Sequence, residues 1–353
     1  MKILVKTAVL MCCAIAPALM GHRLAAASEF VGVRQIAAPS RERGSDLAVT
    51  VWYPSEAGGK AVTLGENVFF EGTPAMRDAK VSQGEYPLIL LSHGAGLGGT
   101  PEAMSWIATP LARAGFIVAA PAHPGNGGAY RSARETVKLW LRPADISATL
   151  DAIGKLPLFK HRIVAGRVGA LGLSMGGTTA LALAGARIDP VRLAGYCDTE
   201  DLNASFCGWL RQSGVDLHAV DMKLAGRDNA DKRIRFVMTI DPAPVDVMQP
   251  KSFSTIAIPV EIVNLGQPGQ IPATALASGI ARAIPKGTYS TIADASHYSM
   301  FGQCKPGAAE FAAAEDIGDP ICSDGTGDSR AEIHRQLVDM AIQAFDQALK
   351  TSD

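Results

Sequence analysis

The chain has 353 residues, of which 33 are basic and 34 acidic, and a formal net charge of -1. With 48% hydrophobic residues it can bury a large core, and charge this balanced, without a long Lys or Arg run, excludes the electrostatic footprint of a nucleic-acid-binding protein. Its partners are expected to be small molecules, uncharged or amphiphilic; oligomeric state is not readable from the sequence.

At the amino end, Met1, Lys2 and Lys6 precede an uncharged stretch from Thr7 to Met20, and Leu24-Ala25-Ala26-Ala27-Ser28 follows. This reads as a signal peptide over residues 1–27, cut after Ala27. The apolar stretch is shorter than the roughly 20 residues that span a bilayer, so no stable membrane insertion is expected after cleavage. Cys12 and Cys13 follow Val9-Leu10-Met11, which lacks the small residue expected ahead of a lipid-attachment cysteine. Residues 28–353 then form one domain, exported to the periplasm or secreted. Cys197, Cys207, Cys304 and Cys322 remain, as two local pairs. In an exported chain they suggest Cys197–Cys207 and Cys304–Cys322 disulfides. No Cys-x-x-Cys or His-x-x-x-His spacing accompanies them, so no metal site is expected.

Apolar, β-branched runs predict strands at Phe30–Ile36, Leu47–Tyr53, Pro87–Ser92, Phe116–Ala120, Arg167–Leu173, Ile234–Ile240, Pro259–Val263 and Tyr289–Ile292. Amphipathic stretches predict helices at Pro101–Ala114, Arg142–Leu156, Met175–Ala186, Pro272–Ala283 and Ala331–Leu349. The alternation is that of an α/β protein, a mostly parallel sheet with helices on both faces. Two polar stretches interrupt it, each with one cysteine pair. Residues 196–233 are expected to form a small cap insertion over the site, and Met300 to Ser329 a stapled surface loop.

Gly172-Leu173-Ser174-Met175-Gly176-Gly177 stands between a predicted strand and a predicted helix. A Gly-x-Ser-x-Gly turn in that context is a nucleophile elbow, which presents Ser174 at the carboxyl edge of the sheet beside a helix N-terminus. An earlier strand ends in Ser92-His93-Gly94-Ala95-Gly96, a loop suited to donating backbone N–H groups to an oxyanion. Ala95 and Met175 are the expected donors, with Gly94 the alternative to Ala95, and His93 is expected to organise the loop. The base comes last in this chain order, which selects His297 after the strand ending at Ile292. The acid is less ordinary. The loop Asn264 to Gln270 holds no carboxylate, whereas Asp241 ends the preceding strand; Glu261 and Asp294 are the alternatives.

Val51-Trp52-Tyr53-Pro54, the segment Pro87 to Gly99, Ala120 to Asn126, Arg142 to Ile146, the elbow and Asp241-Pro242-Ala243 together resemble the predicted dienelactone hydrolases related to the platelet-activating-factor acetylhydrolases. The resemblance implies an α/β-hydrolase fold, action on short acyl esters, and a triad acid placed one strand early, as Asp241 is. Enzymes that open the dienelactone ring use a cysteine, where this elbow carries Ser174. Substrate choice is expected to lie with the cysteine-bearing insertion and with Gln267-Pro268-Gly269-Gln270. The expectation is a serine esterase with the triad Ser174, Asp241 and His297, acting on a small-molecule ester without cofactor or metal. A lipid or polyester hydrolase and a non-catalytic binding protein of the same fold are the alternatives.

Overall fold

The computed structural model describes residues 28–199, 201–325 and 327–351. The expected signal peptide, with Cys12 and Cys13, lies outside them.

The strands are β1 (Phe30–Ser40), β2 (Ser45–Ser55), β3 (Lys60–Leu64), β4 (Thr73–Arg77), β5 (Tyr86–Ser92), β6 (Ile117–Pro121), β7 (Ile163–Leu173), β8 (Ile234–Ile240), β9 (Val260–Leu265) and β10 (Gly287–Ile292). They form one sheet in the order β10-β9-β8-β7-β5-β6-β2-β1-β4-β3. From β6 through β10 every neighbouring pair is parallel, whereas β2 runs antiparallel to β6 and to β1. Of the parallel strands, β5, β6 and β8 are buried on both faces and read as near-continuous apolar runs. Successive side chains alternate between faces. Leu88 and Leu90 of β5 pack in one core with Ile146, Leu150 and Leu181, while Ile89 and Leu91 pack in a second core with Ile107, Leu111 and Phe345.

Helices Arg142–Lys155 and Met175–Ala184 supply the first of these layers, and Ser105–Arg113 and Arg330–Leu349 the second. In the last helix Ile333, Leu337, Ala341 and Phe345 are all fully buried, the stripe expected from their spacing. Both expected disulfides are formed, Cys197–Cys207 and Cys304–Cys322. No helix among the described residues is long and apolar enough to cross a membrane.

Three expectations need correction. Strands β3 and β4 were not expected, because each is short and lies largely exposed at the sheet edge, where apolar alternation is weak. The helix expected over Pro272–Ala283 spans only Ser278–Ala283, because residues 273–275 form a turn in which Thr274 bonds Asp246 and Tyr196 instead of continuing the ladder. The stretch Met300 to Ser329 is stapled as expected, but it also carries a helix, Ala308–Ala314, whose Ala308 and Ala312 pack with Phe69 and Phe70.

Candidate active site

Strand β7 delivers Ser174 to the carboxyl edge of the sheet, with φ 53° and ψ -121°. A non-glycine residue with positive φ is strained, and the surroundings hold it there. The Ser174 N–H donates to Ile240 O at 3.0 Å, and its carbonyl accepts from Gly177 N at 2.7 Å and Ala243 N at 3.0 Å. A Cβ at Gly172 would lie 2.0 Å from Gly176 O, and one at Gly176 would lie 1.8 Å from Ser92 O. The turn can close this tightly only with glycine at both positions.

Two further strand ends converge on the elbow. Asp241 follows β8 directly, with φ 46°, and is fully buried. His297 opens a short turn after β10. Ser174 Oγ lies 3.1 Å from His297 Nε2, and His297 Nδ1 lies 2.5 Å from Asp241 Oδ2. With Nδ1–H donating to the carboxylate, Nε2 is free to accept from the serine hydroxyl. The other carboxylate oxygen, Oδ1, accepts from Asn264 Nδ2 at 2.7 Å and from Leu265 N–H at 3.0 Å. Among the described residues neither Glu261 nor Asp294 bonds His297.

The turn carrying His297 is held from behind. Trp106 Nε1 donates to Met300 O at 3.0 Å, and His334 Nε2 donates to Ser299 O at 2.9 Å. The Trp106 and His334 rings stack with centroids 3.8 Å apart. Burial lowers the His334 pKa to about 4, so it is neutral near pH 7 and holds this carbonyl without charging.

The structure also brings Ala95 and Met175 to the serine, both lining one cavity with Ser174 and His297. Met175 is the first residue of its helix, so its N–H has no intrahelical partner. The orientation of the Ala95 amide follows from His93. His93 Nε2 accepts the His123 N–H at 3.1 Å, which leaves the proton on Nδ1 to donate to Gly94 O at 2.9 Å. Gly94 C=O and Ala95 N–H belong to one planar trans peptide and point in opposite directions. Drawing the carbonyl toward His93 turns the Ala95 N–H the other way.

The cavity has a volume of about 410 Å³ and is mostly apolar. Tyr196, Phe206 and Trp209 of the polar insertion line it, together with Tyr298 and Phe301. Residues of the insertion therefore line the cavity that Ser174 and His297 also line. Gln267-Pro268-Gly269-Gln270 is not part of the lining; Pro272, Thr274 and Ala275 take that place.

The platelet-activating factor acetylhydrolase, isoform II family matches residues 62–138, a span that includes the His93 loop but none of Ser174, Asp241 and His297. A ferulic acid esterase from Streptomyces cinnamoneus superposes with TM-score 0.56 at 18% identity over 92% of each chain. A dienelactone hydrolase from Anabaena variabilis gives TM-score 0.47 at 13% identity, over 89% of this chain and 97% of that one. Comparison with curated protein sequences returns no match. The chain has the α/β-hydrolase fold, and residues 62–138 are similar to the acetylhydrolase family.

Sequence reasoning missed the support of this site. Arg142 is fully buried beneath the His93 loop: Nε donates to Thr179 Oγ1 at 2.9 Å, Nη1 to Asn126 Oδ1 at 2.7 Å, and Nη2 to His93 O and Ser92 Oγ. Burial lowers its pKa to about 9, above neutrality, so the guanidinium keeps its charge. Asp145 is the buried counter-charge. It takes two bonds from Arg43, at 2.9 and 2.8 Å, and one from His123 Nδ1 at 2.8 Å. His123 Nε2 in turn meets Ser92 Oγ at 2.9 Å. Burial first, then nearby positive charge, holds both His93 and His123 well below the usual histidine range. Arg142 and Asp145 lay inside a motif carrying the resemblance, yet their partners come from positions too distant in the chain for spacing to reveal.

Proposed function

We propose that the protein is a serine esterase that hydrolyses short-chain carboxylic esters, with Ser174 as nucleophile, His297 as general base and Asp241 as the orienting acid. The observation that carries this reading is the unbroken hydrogen-bonded line from Ser174 through His297 to Asp241, opening on the cavity.

In this mechanism His297 Nε2 takes the hydroxyl proton as Ser174 Oγ bonds to the ester carbonyl carbon. The N–H groups of Ala95 and Met175 receive the negative charge on the carbonyl oxygen, and the N-terminus of the helix behind Met175 favours that charge. His297 then passes its proton to the departing alkoxide, the C–O bond breaks, and the acyl group stays on Ser174. Water repeats the sequence, releasing the acid and the free serine. Asp241 keeps Nδ1–H of His297 in place throughout, and no cofactor enters these steps.

A cavity of about 410 Å³ lies toward the lower end of the range for small-molecule sites, which supports short acyl groups over long chains. The insertion between helix Met175–Ala184 and β8 serves as a cap over this cavity, a role supported by the lining it contributes. The two disulfides support export to an oxidising compartment.

The test is labelling with a fluorophosphonate probe together with turnover of p-nitrophenyl esters of increasing chain length. Labelling at Ser174 and the highest kcat/KM on acetyl or butyryl esters are expected. A protein that takes no label and cleaves none of the esters is not a serine esterase. One that prefers long acyl chains breaks the substrate reading alone.

A further inference from the structure

The polar side chains of the cavity wall are nearly all engaged. Asn203 Oδ1 accepts Phe206 N–H at 3.1 Å, Tyr196 OH donates to Thr274 Oγ1 at 2.7 Å, and Thr274 Oγ1 donates to Asp246 at 2.9 Å. Tyr298 OH donates to Asp319 Oδ1 at 3.0 Å.

Arg131 is the exception. It lines the same cavity as Ser174, and its guanidinium carbon stands 4.1 Å over the Trp209 ring centroid. Among the described residues no hydrogen bond or ion pair engages its N–H groups. Asp319 attracts it only from beyond ion-pair distance, partly offsetting the lowering of its pKa by burial.

A guanidinium that stacks by its face leaves its N–H groups pointing outward in the plane of the fork, the geometry that matches a carboxylate with two parallel bonds. Trp209 packs against the guanidinium, so part of its freedom is already limited before the fork is used. Arg131 is exposed, and the cavity wall beside it is aromatic and apolar.

We propose that Arg131 is the recognition subsite for a carboxylate carried by the ester substrate several bonds from the scissile bond. The inference rests on the esterase reading and deepens it: the preferred substrate is a half-ester or an ester of a carboxylated alcohol. Composition alone pointed to uncharged or amphiphilic partners, and an unpaired cation among the described residues of the site redirects that choice. Asp319 is the counterweight. It holds the rim near neutrality when the site is empty and opposes the incoming anion, so its charge limits the selectivity.

Two pairs of esters test this, each differing by one carboxylate. Monobenzyl succinate against benzyl butyrate puts the charge on the acyl side, and 4-acetoxybenzoate against phenyl acetate puts it on the alcohol side. Arg131→Gln is expected to lower the charged-to-neutral ratio of kcat/KM at least tenfold in one of the pairs, and that pair identifies the side. Asp319→Asn is expected to raise the same ratio a few-fold. A calorimetric titration of Ser174→Ala with monobenzyl succinate and 4-acetoxybenzoate, with and without Arg131→Gln, reads the subsite without turnover. There Kd should rise about tenfold for the same charged ester when Arg131 is lost. Ratios and Kd values that ignore Arg131 in both pairs overturn the inference. Absent turnover with Arg131-dependent binding would instead overturn the esterase reading and leave the subsite standing.

Discussion

Among the described residues the line Ser-His-Asp occurs twice. At the cavity, Ser174 Oγ, His297 and Asp241 are joined at 3.1 and 2.5 Å; beneath the neighbouring loop, Ser92 Oγ, His123 and Asp145 are joined at 2.9 and 2.8 Å. The chemistry and the ring-nitrogen pattern are the same, and the settings are opposite. Ser174 sits on a strained elbow facing a cavity, and the His297 side chain is 24% exposed. Ser92 ends a buried strand, and the His123 side chain has no exposure. Burial with two guanidiniums nearby opposes a proton on His123, so the inner line is suited to holding a loop and unsuited to shuttling protons. Hydrogen-bond geometry alone therefore does not mark a catalytic triad; access to substrate does.

The two serines should differ most. Ser174→Ala should reduce kcat by at least about 10³-fold with little change in unfolding free energy, because the hydroxyl packs against little. Ser92→Ala should leave most activity in place. Equal losses from both, measured as kcat on p-nitrophenyl acetate, would falsify the division of roles.

The acids come next. Asp241→Asn should cost about 10⁴-fold in kcat, as expected when the imidazole loses its orienting carboxylate, while Glu261→Gln and Asp294→Asn stay close to wild type. A collapse of activity in either of the latter two would move the acid away from Asp241.

Asp145→Asn probes the inner line through stability. It leaves Arg43 and Arg142 without their buried counter-charge, and a loss of about 3–5 kcal/mol in chemical denaturation is expected. A variant as stable as wild type would show that the network contributes no net stability.

Acidification separates the two lines further. His93 and His123 have folded-state pKa values well below the unfolded value of about 6.5, so the unfolded chain binds protons first as pH falls. Their contribution is complete above that value and is lost as pH falls below it. The melting temperature should drop on acidification from about pH 6.5, and His123→Gln should flatten that slope. An unchanged slope in the variant would assign the acid sensitivity elsewhere.

The smallest effect concerns the staples. Removing the Cys304–Cys322 bridge, whose ends stand 18 positions apart in sequence, or the Cys197–Cys207 bridge, whose ends stand 10 apart, should cost on the order of 2–4 kcal/mol, the longer loop costing more. Only the second loss should also disturb kcat/KM, since Phe206 and Trp209 flank Cys207 on the cavity wall. Unaltered kinetics without that bridge would show that the insertion does not depend on it.

What could be read in the sequence by itself is local. Ser174 stood out because an elbow requires glycine, an apolar strand and a helix within a dozen residues, Asp241 because it follows a strand directly, and His297 because it lies on the loop after the last strand, where the base of this chain order falls. The last helix and both disulfides were legible for the same reason, through a four-residue stripe and short cysteine spacings. Tertiary structure alone decided the rest. Arg43, His123 and Asp145 meet across as many as 102 residues, and no periodicity announces such a meeting. Asn264 occupies the strand end where a carboxylate was sought, and its importance appears only once its amide is seen bonding Asp241. Arg131 reads as an ordinary surface arginine until Trp209 is folded beneath it. Side-chain pattern along a chain reports which face is buried; which distant groups share that burial depends on how the layers stack, and that is settled only when the whole sheet closes.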